Sequence, residues 1–365
     1  MARDILKSNN SLVIAGQRPA FTTSDRDASN MSGAFMSAVQ SVSVGFSQDR
    51  QKSKQIGSQG LAVNDITRMP DVDLSIDYYY TPAMLNENLL GLSSSNPSYV
   101  GTGFFEGYSN EDQNFYILNH QDQGFDLING SSSEVRPAAN LSANAEIFSI
   151  GNAFLTNYSL GFSVGSLPVV STSYKCSNTT VQNISSSEVQ NPAINLQSGN
   201  NTNVGQTNLV SAKISGFDYY SNINRFDPPL CGPDHVELTL QNLEVGGAPI
   251  SGDAHIQSFA FDIPIQRTDL YGLGSNYVYG RKIQYPITAS VNMELLVSGF
   301  ATGELAALMN TESSYDFDVK IQDRSGEYQN TFSFDSLRLE SSAYSMDVND
   351  NMNYSLSFSF EIENQ

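Results

Sequence analysis

At 365 residues the chain is long enough for one large domain or two of ordinary size. Its 38 acidic residues against 18 basic give a formal charge of −20, which argues against gripping nucleic acid or an anionic membrane surface as its main business. Only 15% of residues are charged, Trp is absent, and Gly, Tyr and Phe are plentiful, the make-up of an all-β protein with polar loops rather than a disordered one.

In chain order, 1–36 is poor in strand pattern and reads as an N-terminal arm. Its start, "MARDILKSNN", lacks the apolar core of a signal peptide, and no apolar run approaches membrane-spanning length, so membrane insertion is not expected. "VQSVSVGFS", from Val39, alternates as a strand. After it, "QDRQKSKQIGSQG" (48–60) predicts a long hairpin and gathers Arg50, Lys52 and Lys54 in a chain short of bases. "VDLSIDYYY" is a strand with one buried face. "LNENLLGL" is a short helix candidate, with Asn86 as N-cap and Glu87 suited to the helix dipole. The segments 93–112 and 129–145 are polar insertions, and "YSLGFSV" with "PVVSTSYKC" closes this half as a strand pair. The tract 177–208 is a polar linker.

The second half repeats the first. "IQSFAFDIPIQRTDLYGLGS", from Ile256, stands 217 residues after "VQSVSVGFSQDRQKSKQIGS" and shares its Gln-Ser, Arg and Gly-Ser places. Its hairpin (265–282) carries Arg267, Arg281 and Lys282; "ASVNMELLV" matches "VDLSIDYYY", "TGELAALMN" (302–310) the helix, and "YSMDV" with "NYSLSFSFEI" the closing pair. At the same offset the apolar places of the two stretches coincide, so a tandem pair, 37–176 and 209–365, is expected.

No set of residues assembles a nucleophile, a base and an oxyanion site. "GFSVG" fits a nucleophile elbow at Ser163, but the flanking residues alternate and Pro168 stands where a helix should follow. "DVNDN" (347–351) lacks the Gly and bidentate Glu of a calcium loop, and "GTGFFEG" (101–107) has the wrong spacing for a dinucleotide. His120, His235 and His255 share no metal-like spacing, and Cys176 and Cys231 read as free thiols. No cofactor, metal or catalytic activity is expected.

A strand, a long hairpin, further strands, a short helix and closing strands, all written twice, resemble a bacteriophage tail tube protein with a duplicated tube domain. The resemblance implies two tandem β-sandwich or barrel domains, each with one flanking α-helix. It also implies three subunits in a pseudo-hexameric ring, rings stacked into a conduit for double-stranded DNA, and contacts with other tail proteins. The virion tail would be its location, after assembly in the host bacterial cytoplasm. A tail terminator or hub ring of the same fold is an alternative within that resemblance. The hairpins with Arg50, Lys52, Lys54, Arg267, Arg281 and Lys282 match loops that reach an adjacent ring. On the polar side of the alternating strands, Asp73, Asp77 and Glu294 become candidates for the channel wall. Two readings of other classes compete: a glycan-binding adhesin, suggested by tyrosine-rich loops such as "IDYYYTP" and "SGFDYYSN", and a hydrolase built on Ser163.

Overall fold

The computed structural model of the chain describes residues 11–16, 33–48, 50–53, 56–57, 59, 63–66, 70–81, 84–90, 92, 112–120, 145–183, 188–190, 192, 213–215, 236–241, 244–245, 248–249, 254–271, 278–297, 315–322, 329–345 and 353–363. The described elements begin with β1 (Ser11–Gly16), β2 (Gly33–Phe35), β3 (Val39–Ser47), β4 (Arg50–Ser53), β5 (Val63–Ile66), β6 (Asp71–Tyr79), α1 (Leu85–Leu90), β7 (Gln113–His120), β8 (Ala145–Ser163), β9 (Val169–Cys176) and β10 (Asn178–Asn183). Then come β11 (Glu188–Gln190), β12 (Lys213–Ser215), β13 (Val236–Gln241), β14 (Glu244–Val245), β15 (Ala248–Pro249), β16 (Ala254–Pro264), β17 (Arg267–Tyr271), β18 (Val278–Ile283), β19 (Ile287–Val297), β20 (Tyr315–Gln322), β21 (Gln329–Ser345) and β22 (Asn353–Ile362). The protein is all-β.

Fourteen strands join into one antiparallel sheet, and four further pairs stand apart from it: β4–β5, β11–β12, β14–β15 and β17–β18. Within the large sheet one order of neighbours occurs twice. β1–β7–β8–β9–β6–β3 in the first half corresponds to β13–β20–β21–β22–β19–β16 in the second. The registers correspond too. Val44 pairs with Leu74 and Phe261 with Val291; Arg50 pairs with Ile66 and Arg267 with Ile283. All are separated by the 217 residues legible in the sequence. The bulge between Val39 and Ser41 recurs between Ile256 and Ser258.

The longest strand of each half changes neighbours along its length. Glu146–Ala153 of β8 lies beside β7, and Phe154–Gly161 beside β9; β21 passes from β20 to β22 in the same way. The changeover needs a residue in the left-handed region. Asn152 (φ 52°) and Ser336 (φ 58°) occupy it. Each backbone N–H is held by a side chain of the neighbouring strand, Asn152 by Asn114 Oδ1 at 3.1 Å and Ser336 by Asp316 Oδ1 at 2.9 Å.

The two halves are joined edge to edge. β16 pairs with the end of β8, from Pro264 opposite Asn157 to Ser258 opposite Ser163. This seam makes β3–β6–β9–β8–β16–β19–β22–β21 one run of eight strands. Alternation gives the run an apolar face, and that face packs on the rings of β20 and β21. Phe259 meets Phe317 and Phe334 at centroid distances of 6.0 and 5.9 Å, and Phe261 meets Phe334 at 5.2 Å. Tyr80 of the first half reaches Phe332 of the second at 6.0 Å, so the core is continuous between them.

Several sequence expectations are corrected. Residues 1–36 are not simply an arm, since Ser11–Ala15 pair with Phe115–Asn119 and bury Val13 and Ala15. Nor is 177–208 only a linker, because Asn178–Asn183 pair with Glu146–Gly151 and Glu188–Gln190 with β12. Asn86 does not cap α1. It is buried inside the helix, where its Oδ1 accepts the Ser37 N–H at 2.8 Å and its Nδ2 donates to the Ser37 carbonyl at 2.8 Å. A side chain bonded to both backbone groups of a distant residue has no lone pair aimed at its own helix start. The helix candidate at 302–310, and nearly all of 93–112 and 129–145, lie outside the described residues.

Candidate functional site

The opposite face of the eight-strand run is polar and built from small side chains. One row of directly opposed residues crosses it. Ser41 faces Asp77, which faces Ser171 and then Ser159. Across the seam the row continues through Asp262, Ser290, Ser359 and Arg338. Four residues further along the strands a second row runs Ser163, Ser258, Glu294, Ser355. Serine suits such a surface because its hydroxyl is solvated and its bulk is slight.

The structure places all three acids proposed for a wall on this face. Asp73 and Glu294 are exposed and Asp77 is half-buried. Asp77 and Glu294 hold equivalent places, each opposite the serine of the preceding strand, Ser41 or Ser258, and the Ser41 hydroxyl donates to Asp77. Asp262 belongs with them, and the sequence reading passed over it. Two bases interrupt the acid character of this face: Arg338 at the end of the first row, and Lys175, which stands opposite Asp73. Lys175 lies 3.4 Å from Asp71 and 3.1 Å from Asp269, which neutralises much of its charge locally.

The six hairpin cations divide. Arg267 and Arg281 do not project; they are turned onto the first half. Arg267 Nε donates to the Leu155 carbonyl at 2.9 Å. Arg281, 4% exposed, donates from Nε to Asp269 at 3.0 Å and from Nη1 to the Lys175 carbonyl at 3.0 Å. Its Nη2 donates to the Cys176 carbonyl at 3.3 Å. Both guanidinium groups sit 5.3 Å from the centre of the Phe154 ring. Burial costs a guanidinium less here than it would an ammonium, because its planar fork reaches several carbonyls at once. Lys282 is exposed, as are Arg50 and Lys52 on the equivalent first hairpin. Lys54 lies outside the described residues.

Asp269 is held below the ordinary carboxylate range: burial pushes it up, but the bond from Lys175 and the charge of Arg281 outweigh that. A different acid is buried within the core. Glu87 accepts the Tyr78 hydroxyl at 2.9 Å and the Tyr158 hydroxyl at 3.4 Å, and burial pushes its carboxyl up to about 7. Its Oε2 has no hydrogen-bond partner among the described residues. The sequence read Glu87 as a helix-dipole residue; only the fold reveals that Tyr78 and Tyr158 converge on it.

Ser163 ends β8 and is followed by a turn and β9, not by a helix, and its hydroxyl shares a 2.6 Å hydrogen bond with that of Ser166. Burial pushes the free Cys176 thiol up to about 12. His120 and His255 lie in β7 and β16, whereas His235, Cys231, 101–107 and 347–351 fall outside the described residues. Among the described residues no group of three or more His, Cys, Asp or Glu is placed to hold a metal ion, and no helix is long and apolar enough to cross a membrane. The chain matches no family model and no curated protein.

Proposed function

We propose that this chain is a structural protein of a bacteriophage tail, three copies closing a pseudo-hexameric ring and stacked rings forming a tube through which DNA passes. The observation that carries this reading is the eight-strand run built from two equivalent four-strand units, with one polar face and, among the described residues, no strand along the outer side of β3 or of Arg338–Ser345. Such a run has no closed surface of its own, and repetition of one chain about an axis supplies a wall without edges. On this reading the polar face becomes the bore, lined by Asp73, Asp77 and Glu294. A wall of hydroxyls and carboxylates repels phosphates and lets a duplex slide, whereas a basic one would hold it. Arg50 and Lys52 on the first hairpin, with Lys282 on the second, are exposed toward neighbouring subunits on this reading, while Arg267 and Arg281 serve inside the chain. The protein is then a component of the virion tail, assembled in the host cytoplasm beside other tail proteins, without cofactor or catalysis.

Negative-stain microscopy of the purified protein tests this directly. Rings or tubes with an axial channel are expected. Rings that never stack would favour a terminator or hub, and particles of one chain that bind glycans would overturn the reading in favour of an adhesin.

A further inference from the structure

We infer that α1 is a latch held shut by one proton on Glu87: when that proton leaves, α1 lifts off β6 and β8 as a unit while the sheet beneath it stays folded. The inference goes beyond the tail reading and stands whether or not copies of the chain form a ring.

At six residues α1 is too short to persist without the surface beneath it. Polar attachments hold it there. Asn86 clasps both backbone groups of Ser37 at 2.8 Å, and Gln113 Nε2 donates to the Leu89 carbonyl at 2.9 Å. Glu87 receives the Tyr78 and Tyr158 hydroxyls, and Leu90 and Leu92 add buried apolar contact. Immediately before the helix, Met84 takes φ 48°, a left-handed place that is costly for an ordinary side chain and is relieved when α1 lets go.

The attachment at Glu87 differs from the others because its strength turns on charge. The side chain is 0% exposed, and its Oε2 has no hydrogen-bond partner among the described residues. The groups facing it are the phenols of Tyr78 on β6 and Tyr158 on β8, with Tyr174 of β9 near both and Tyr80 near Tyr158. Burial pushes Tyr78 and Tyr158 well above the ordinary phenol range, so both stay protonated. Among the described residues no base stands by to offset an anion. A neutral carboxyl can occupy such a place, but a carboxylate with one bare oxygen is drawn to water. Burial accordingly raises the Glu87 carboxyl to about 7. Lifting α1 hydrates that carboxylate without parting any two strands.

The fold itself does not require this arrangement. Register equates Tyr78 with Leu295 and Tyr158 with Ser342 of the second half. Leu295 is buried there, so an apolar side chain fills the place of Tyr78, and neither phenol recurs at these positions. The two phenols that receive the acid are particular to the first half, which suits a switch better than a scaffold.

The test is amide hydrogen exchange of the full chain at several pH values, read by mass spectrometry and corrected for the intrinsic exchange rate. The Ser37 N–H, held by Asn86, and the Leu92 N–H, held by the Glu87 carbonyl, report release of α1 directly. Their opening should rise about tenfold per pH unit between the ordinary 4.5 and about 7, where docked α1 keeps a proton that released α1 gives up, and then level off. Amides of β6 and β8 should show no such rise. Glu87→Gln should make opening at α1 independent of pH. Should that variant fail to fold, Tyr158→Phe withdraws a donor that favours the anion, and the levelling-off should move to higher pH. Opening at α1 that ignores pH, or that keeps its dependence in Glu87→Gln, would overturn the inference. So would a levelling-off unmoved by Tyr158→Phe, or opening of β6 and β8 in step with α1.

Discussion

The Tyr78 hydroxyl donates to Glu87 Oε1 at 2.9 Å inside a core where both residues are fully buried. The carboxyl that receives it titrates near 7 rather than at its ordinary 4.5. Between those values the native state keeps a proton that the unfolded chain has released. This contribution to stability is therefore complete below about 4.5 and falls as pH rises through about 7. Glu87→Gln should flatten the decline, measured by urea unfolding at several pH values across the window. An unchanged slope would place the titration elsewhere.

Arg281 fixes the second hairpin to the first half through the carbonyls of Lys175 and Cys176, and binds the Asp269 carboxylate within the hairpin itself. Arg281→Ala leaves Asp269 without that partner and should destabilise the protein by about 3 kcal/mol, the scale for breaking a buried ion pair. Amide exchange in β17 and β18 should rise first. If exchange there matches the parent protein, the hairpin is held by other contacts.

Asp77 and Glu294 occupy equivalent places on the polar face. Replacing both with Lys should leave folding and assembly intact, because neither side chain is buried. DNA passage should slow, since a basic wall retains phosphates. Particles carrying the double substitution are compared with the parent by the rate of DNA release, and equal rates would remove these acids from the bore.

Arg50, Lys52 and Lys54 changed together to Glu should weaken association between copies and leave circular dichroism unaltered. The defect should be largest at low salt and shrink as salt screens the reversed charges. Sedimentation at two ionic strengths reads it; normal assembly at both would end the docking role of this hairpin.

Local periodicity carried much of the fold. The alternation of "VDLSIDYYY" and "ASVNMELLV" became β6 and β19, and the 217-residue offset reappeared as register. What escaped were pairings between distant segments. β1 is a short apolar run whose partner lies about a hundred residues away, so nothing local announces it. Of β8 only the end, "YSLGFSV", was read as a strand; further upstream the left-handed Asn152, where the strand changes partners, interrupts the alternation. Of the candidate surface, the polar side of the strands was legible from the alternating acids. The turning-in of Arg267 and Arg281 was not, because hairpin cations look solvated until the surface beneath them is known.

The seam between β8 and β16 joins two parts of one molecule, and this makes it indifferent to dilution. Tethered edges meet at an effective concentration that tethering alone places in the millimolar range, so that contact forms as the chain folds. A contact between separate copies in the proposed ring would have no tether and would follow mass action. In the proposed ring, covalent doubling would divide six equal encounters into three that are always made and three that depend on how much protein is present. Supply of the chain, rather than its folding, would then set the moment at which assembly begins.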